Sequence, residues 1–180
     1  ESAAIGTSSR IQRTMVALPC SPGMAGAIYD GSTEEAAMPY RNINPTEAKA
    51  LLDGREGWIS IEVRTEGESN QGHAAGACNI PVAVGHPPQM TMNPEFLAVV
   101  KANFKKGQKL LVRWAAGGRS SKACEILVNA GYTDLDNMMG GLMGSRDPMG
   151  RVEKGWAALG FPTETTAAAG KSYEALRRNV

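Results

Sequence analysis

The residues best placed to do chemistry lie between Leu110 and Ser121. Leu110, Leu111, Val112 and Arg113 run into Trp114, Ala115, Ala116, Gly117, Gly118, Arg119 and Ser120, after which Ala123, Ile126 and Leu127 recur at helical spacing. A strand, a short glycine-containing loop and a helix opening near Ser120 aim several backbone N–H groups at one point, with the helix dipole behind them. Such a loop is an anion cradle. A cysteine at its strand end would have its thiol acidified by the same amides and become a nucleophile. Position 114 is tryptophan, whose indole does not ionise at neutral pH.

The other reactive side chains are few. Cys20, Cys78 and Cys124 cannot all pair with one another, and with only two histidines, His73 and His86, no short metal-ligand cluster can be written. No metal and no cofactor is expected. Cys78 falls in an apolar strand and Cys124 on the apolar face of the helix after the loop, where free cysteine behaves as a small buried hydrophobe. Cys20, in the N-terminal extension, is open to exposure and reaction but has no cradle around it. His86, between Gly85 and Pro87-Pro88, reads as a loop residue.

The elements that must position the loop can be read from periodicity and punctuation. Asn44-Pro45-Thr46-Glu47 is an N-cap with proline at the first helical position, opening a helix that stops near Gly54. Trp58 to Val63 is a short buried strand, and Cys78 to Pro81 a second one. Residues 94–104 carry apolar positions at helical spacing, 109–113 form the strand before the loop, and the helix after it ends at Gly131. Tyr132 to Met138 is a last strand, broken by Gly140-Gly141. Alternating strands and helices predict an α/β fold with a mostly parallel central sheet and helices on both faces. Ligands of such sheets sit at the carboxyl ends of the strands, which points back to residues 113–121.

Composition narrows the partners. The 180 residues carry 19 basic and 18 acidic side chains, a net charge of +1, so nucleic acid is not expected as a partner. No apolar run is long enough to span a bilayer, which leaves peripheral membrane association through a complex. From Ser2 to Tyr29 there is no acidic residue while Arg10 and Arg13 are present. Two readings stand for this start: the end of an organelle-targeting leader, or an exposed linker.

Residues 44–163 resemble a single-domain rhodanese, particularly the small plant and algal sulfurtransferases. The matching stretches are Ile61-Glu62-Val63-Arg64-Thr65 with Glu68, Gln71-Gly72-His73 through Cys78-Asn79-Ile80-Pro81, Met92 to Leu97, Gly117-Gly118-Arg119-Ser120, Leu127 to Tyr132, Gly140-Gly141, and Trp156 to Thr163. The resemblance implies a five-stranded parallel sheet and a loop cysteine that takes a sulfane sulfur as a persulfide. That cysteine belongs six positions before the loop serine, which is Trp114. It also implies structural roles for Glu62, Arg64, Glu68 and His73, the last as an orienting hydrogen-bond residue rather than a base.

Departures from the family shape the functional expectation. Glu62 stands where the family usually has aspartate, Ser69 replaces an aromatic residue, and Arg113 takes a position that is normally small or apolar. Residues 142–155 include an insertion beside the site. Exposed Trp and Arg are common interface anchors, so Arg113 and Trp114 are a candidate docking element, joined by Met143 and Met149. Residues 1–43 are read as an N-terminal extension and 164–180 as a C-terminal tail, whose short helix near Tyr173 is too brief to stand alone and must dock on something.

The reading that unites these features is a catalytically inactive rhodanese-like protein. It would be a subunit of an organellar, photosynthetic or other, complex, contacting other protein subunits through its tails and insertion. A chloroplast is the expected location, with the mitochondrion as alternative. The competing readings are a thiosulfate or 3-mercaptopyruvate sulfurtransferase using another cysteine, and an anion- or phosphate-sensing loop.

Overall fold

Eleven short strands and five α-helices follow one another from Arg41 to Arg177 among the residues described by the computed structural model, which are 39–86, 88–114, 118–146, 149–150 and 152–180. The expectations for residues 1–38, including Cys20, and for Ala115, Ala116 and Gly117 lie outside the described residues.

In chain order the elements are β1 (Arg41–Ile43), α1 (Pro45–Asp53), β2 (Ile59–Glu62), α2 (Glu66–Ser69), β3 (His73–Ala74), β4 (Cys78–Asn79), β5 (Ala83–His86) and β6 (Gln89–Met92). They continue with α3 (Phe96–Asn103), β7 (Leu110–Arg113), α4 (Gly118–Asn129), β8 (Leu135–Met138), β9 (Gly144–Arg146), β10 (Val152–Lys154), β11 (Thr163–Glu164) and α5 (Tyr173–Arg177). Five strands form the central sheet in the order β1-β8-β7-β2-β4, and every pairing in it is parallel. The expected architecture is therefore observed.

Strand alternation sorts the sheet's side chains onto two cores. Ile61, Leu110, Val112 and Leu135 face Phe96, Val99 and Val100 of α3 and Ala123, Cys124 and Leu127 of α4. Leu111 and Met138 face the other way, against Ala48 of α1, Leu142 and Trp156. Helices cover both faces because both faces are apolar, the usual condition of a parallel sheet.

Local signals account for the element ends. Asn44 Oδ1 accepts from the amides of Thr46 and Glu47 while the Glu47 carboxylate accepts from the Asn44 amide, a reciprocal cap at the start of α1. After β8 the chain turns through Gly140 and Gly141 at φ 73° and 58°, a conformation that favours glycine.

Four segments differ from their sequence reading. The sheet takes in Arg41–Ile43, which were assigned to the extension; only Ile43 of the three is buried, so no apolar run marks the strand. The Arg41 side chain holds Asp136 with two hydrogen bonds of 2.9 and 2.6 Å.

The C-terminal tail docks on its own domain. Tyr173 and Leu176 are buried in the α3–α4 core, and Tyr173 Oη accepts from Asn93 Nδ2 at 3.0 Å. Lys171 donates its amine to the Gly76 carbonyl at 2.8 Å, and β11 pairs antiparallel with β3. Burying those two side chains is worth about 1.5–3 kcal/mol each, which is what a five-residue helix needs from outside itself.

The insertion is a hairpin rather than a loop, β9 pairing antiparallel with β10. Its base closes where Gly144 and Gly155 meet: a Cβ on Gly155 would stand 2.5 Å from the Met143 carbonyl carbon and 2.6 Å from the Leu142 oxygen. Only glycine fits there. A second hairpin, β5–β6, places His86 in an exposed strand end instead of a loop.

Candidate functional site

The carboxyl edge of the sheet is organised by a buried ion pair. Glu62, at the end of β2, is 1% exposed and receives Arg64 Nε and Nη2, each at 3.0 Å, on its two oxygens. Arg64 then donates Nη1 to the Glu68 carbonyl (3.2 Å) and Nη2 to the Gly72 carbonyl (2.6 Å), pinning the α2 turn against the sheet. Asn79 Nδ2 ties β4 to the same edge through the carbonyls of Glu62 and Arg64.

Trp114 leaves the end of β7 half-buried, packed against the α3–α4 core. The Arg119 guanidinium lies over its ring, 4.5 Å from the centroid, and a Cβ on Gly118 would touch the indole at 3.7 Å. Arg119 is itself held by Glu68 through two hydrogen bonds of 2.8 and 2.6 Å. Indole, guanidinium and carboxylate thus form a stack across the first turn of α4. The cation that would serve a bound anion is engaged from both sides, and Ser120 behind it is buried.

The stack makes Glu68 a strong acid. Its carboxyl is pulled down to about 2, first by the Arg119 hydrogen bonds and then by the Thr65 amide and hydroxyl, against the opposing effect of burial. A depressed carboxyl contributes stability that is present above its unfolded value near 4.3 and is lost as pH falls through about 2. Because Glu68 is a third exposed, solvent screening limits the contribution to about 1 kcal/mol. Urea titrations of the wild type and Glu68→Gln should differ by about that much at pH 7 and converge near pH 2.

Arg113 is not a docking residue. It is 1% exposed, because β7 alternation turns it with Leu111 into the α1-side core while Val112 faces the other way. Its guanidinium packs 4.6 Å from the Trp156 ring centroid, and burial pushes its ionisation down to about 10, with Glu62 opposing and Arg64 adding to the shift. Trp156 is in turn fixed by its Nε1 donating to the Pro162 carbonyl (2.8 Å) and by Phe161 at 5.0 Å between ring centroids. Of the other candidates, Met143 and Met149 on the hairpin are 72% and 83% exposed.

His73 is fully buried, with Nδ1 on the Ser69 carbonyl at 2.9 Å and Nε2 on Glu164 at 3.3 Å. It orients the α2 turn and the β11 clamp. Cys78 and Cys124 are both buried. Burial, then the charges of Asp136 and Glu125, pushes the Cys124 thiol up to about 12, and burial raises Cys78 against the pull of Lys171.

Beside Glu68 lies a cleft of about 430 Å³ lined by Thr65, Glu66, Gln71, Pro81, His86 and Tyr173 among others. Sequence reasoning missed it because only one wall, the α2 turn, carries a motif; the facing walls come from the β5–β6 hairpin and the C-terminal helix, which have none.

This arrangement, a parallel five-stranded sheet with the end of β7 and the start of α4 at its carboxyl edge, agrees with a family match. The family model for the rhodanese-like domain fits residues 44–146. The chain belongs to the rhodanese-like domain family. The rhodanese-like chain is 34% identical over 131 residues to thiosulfate sulfurtransferase 16, chloroplastic, of Arabidopsis thaliana, covering 73% of this chain and 98% of that one. It is 41% identical over 116 residues to the mitochondrial protein HIGH ARSENIC CONTENT 1 of the same plant, covering 64% and 68%. Among solved structures, Rv0390 from M. tuberculosis superposes with a TM-score of 0.59 at 25% identity, over 71% of this chain and 99% of that one. The match thus runs along nearly the whole of the first and last of these relatives, the first of which is named a thiosulfate sulfurtransferase.

Proposed function

We propose that this rhodanese-like chain does not transfer sulfur and serves as a binding or structural subunit of an organellar protein assembly, with the chloroplast as its location and the mitochondrion as the alternative. One observation carries the reading: tryptophan occupies the position that the resemblance assigns to the persulfide-forming cysteine, and its indole is stacked under Arg119. The buried, weakly acidic thiols of Cys78 and Cys124 support it, since a thiol that is neither ionised nor reachable cannot attack thiosulfate. The chloroplastic and mitochondrial names of the relatives support the organellar setting.

The contact surface in this reading is the β9–β10 hairpin. Met143, Met149 and Val152 are exposed on it, and thioether side chains adapt to partner surfaces. The C-terminal segment, packed on its own domain, is left out of the contact set. Native sizing of a mild extract from source tissue tests the reading. The expected result is migration well above the 19.0 kDa of the free chain, shifted to the free-chain position by Met143→Glu with Met149→Glu. Migration of the unaltered protein as a monomer would refute the assembly.

A further inference from the structure

Three arginines lie along the sheet, and two of them do the same thing. Arg41 holds Asp136 with Nε and Nη2, and Arg64 holds Glu62 with Nε and Nη2, so in both the side edge of the guanidinium grips the two oxygens of a carboxylate. This fork is the geometry that makes arginine a reader of planar oxyanions. Arg113 presents the same edge and has nothing on it. Its Nη1 donates to Ser60 Oγ at 3.3 Å, but Nε and Nη2 are buried with no acceptor among the described residues.

Nearby charge does not resolve this. Glu62 is the cross-strand partner of Arg113, yet both its oxygens are already on Arg64, and the Arg64 amide adds a third bond at 3.1 Å. The three side chains together hold two positive charges and one negative inside the protein. The Trp156 ring, 4.6 Å from the guanidinium carbon, stabilises the charge of Arg113 but supplies no nitrogen or oxygen acceptor to Nε and Nη2. A buried guanidinium left in that condition is strongly unfavourable, and an anion accepting from Nε and Nη2 would remove both the charge imbalance and the two orphaned donors.

We propose that the Nε–Nη2 edge of Arg113 is a binding site for a small planar monoanion of the carboxylate type: formate, bicarbonate or nitrate. The site does not use Arg119 or Ser120 of α4 and is independent of whether the chain transfers sulfur. It lies beside Trp156 at the carboxyl end of β7, and because Nε and Nη2 are enclosed the occupant would have to be small. Ser60 Oγ, on Nη1, fixes the plane in which the fork points.

The full-length protein titrated with sodium formate, at constant ionic strength held by sodium fluoride, tests this. The expected result is a saturable change in tryptophan fluorescence and a rise in thermal midpoint of about 4 °C at tenfold over half-saturation. Parallel titrations with bicarbonate and nitrate identify the natural occupant as the anion that saturates at the lowest concentration. Arg113→Lys keeps the charge without the fork and should abolish both responses. If that variant does not fold, line broadening of ¹³C-formate by the wild-type protein, reversed by nitrate, gives the same answer. A midpoint indifferent to which anion is present, an unsaturable response, a response unchanged in Arg113→Lys, or absence of broadening would each overturn the site; ordered water on the fork predicts the first.

Discussion

The purified protein given thiosulfate and cyanide is expected to form thiocyanate no faster than buffer, and the Trp114→Cys variant is expected to exceed it on the order of a hundredfold or more. The first half follows from ionisation and access. With its thiol near 12, Cys124 is a thiolate in only about one molecule in 10⁴ at pH 8, and its side chain is fully enclosed between α4 and the sheet. Cys78 is shifted the same way by burial. The second half rests on what surrounds position 114. A thiol at the end of β7 would face the opening of α4, whose dipole favours the thiolate, and Arg119 stands within stacking distance to receive the sulfite that leaves when the outer thiosulfate sulfur bonds to the thiolate. Cyanide would then remove that sulfur as thiocyanate and regenerate the thiolate. Mass spectrometry of the variant after thiosulfate alone should show one added sulfur on the new thiol. Turnover by the unmodified protein would refute the pseudoenzyme reading; Cys20→Ser, Cys78→Ser and Cys124→Ser would then locate the thiol responsible. A folded Trp114→Cys variant without turnover would mean that Glu68 has closed the cradle by holding Arg119, and Glu68→Gln added to it should release the activity.

How legible each part was depends on where its signal lies. The α1 cap, the apolar strands and the glycine breaks are local, and they placed the parallel sheet correctly. Arg41–Ile43 failed because an edge strand with one buried side chain leaves no pattern within three residues. The hairpin at 144–154 failed for a related reason: it stands on a close approach of Gly144 to Gly155, a long-range contact that periodicity cannot express. In the site, the motif residues Glu62, Arg64 and His73 were found through the resemblance, yet Arg113 was misplaced on the surface. Arginine's exposure prior is strong, and only alternation counted from Leu111 into the α1-side core would have turned it inward. Glu164 and Tyr173, which complete the His73 clamp and the cleft, come from a tail with no motif at all.

Replacing Glu62 by glutamine is expected to cost about 3–5 kcal/mol and lower the thermal midpoint by roughly 10–15 °C. Glutamine fills the same volume, so the effect isolates charge. Without the carboxylate, the Arg64 and Arg113 guanidiniums face a common buried site with no negative group between them, and the substituted amide would offer one oxygen where Arg64 now uses two. Glu62→Asp, the residue usual in the family, keeps the charge and should cost about 1 kcal/mol for one lengthened hydrogen bond. Denaturant titrations with an unchanged m-value provide the measurement. Adding Arg113→Met to Glu62→Gln should restore part of the loss, because one of the two unbalanced charges is gone; the two positions are in register and cannot be additive. A Glu62→Gln variant within about 1 kcal/mol of the wild type would show that Glu62 is not what balances this cluster. The same pair reaches the loop, since Arg64 holds the Glu68 carbonyl and Glu68 holds Arg119 over Trp114. That chain of contacts couples the buried ion pair to the position of the indole, so loss of Glu62 is expected to loosen Trp114 as well as the sheet edge.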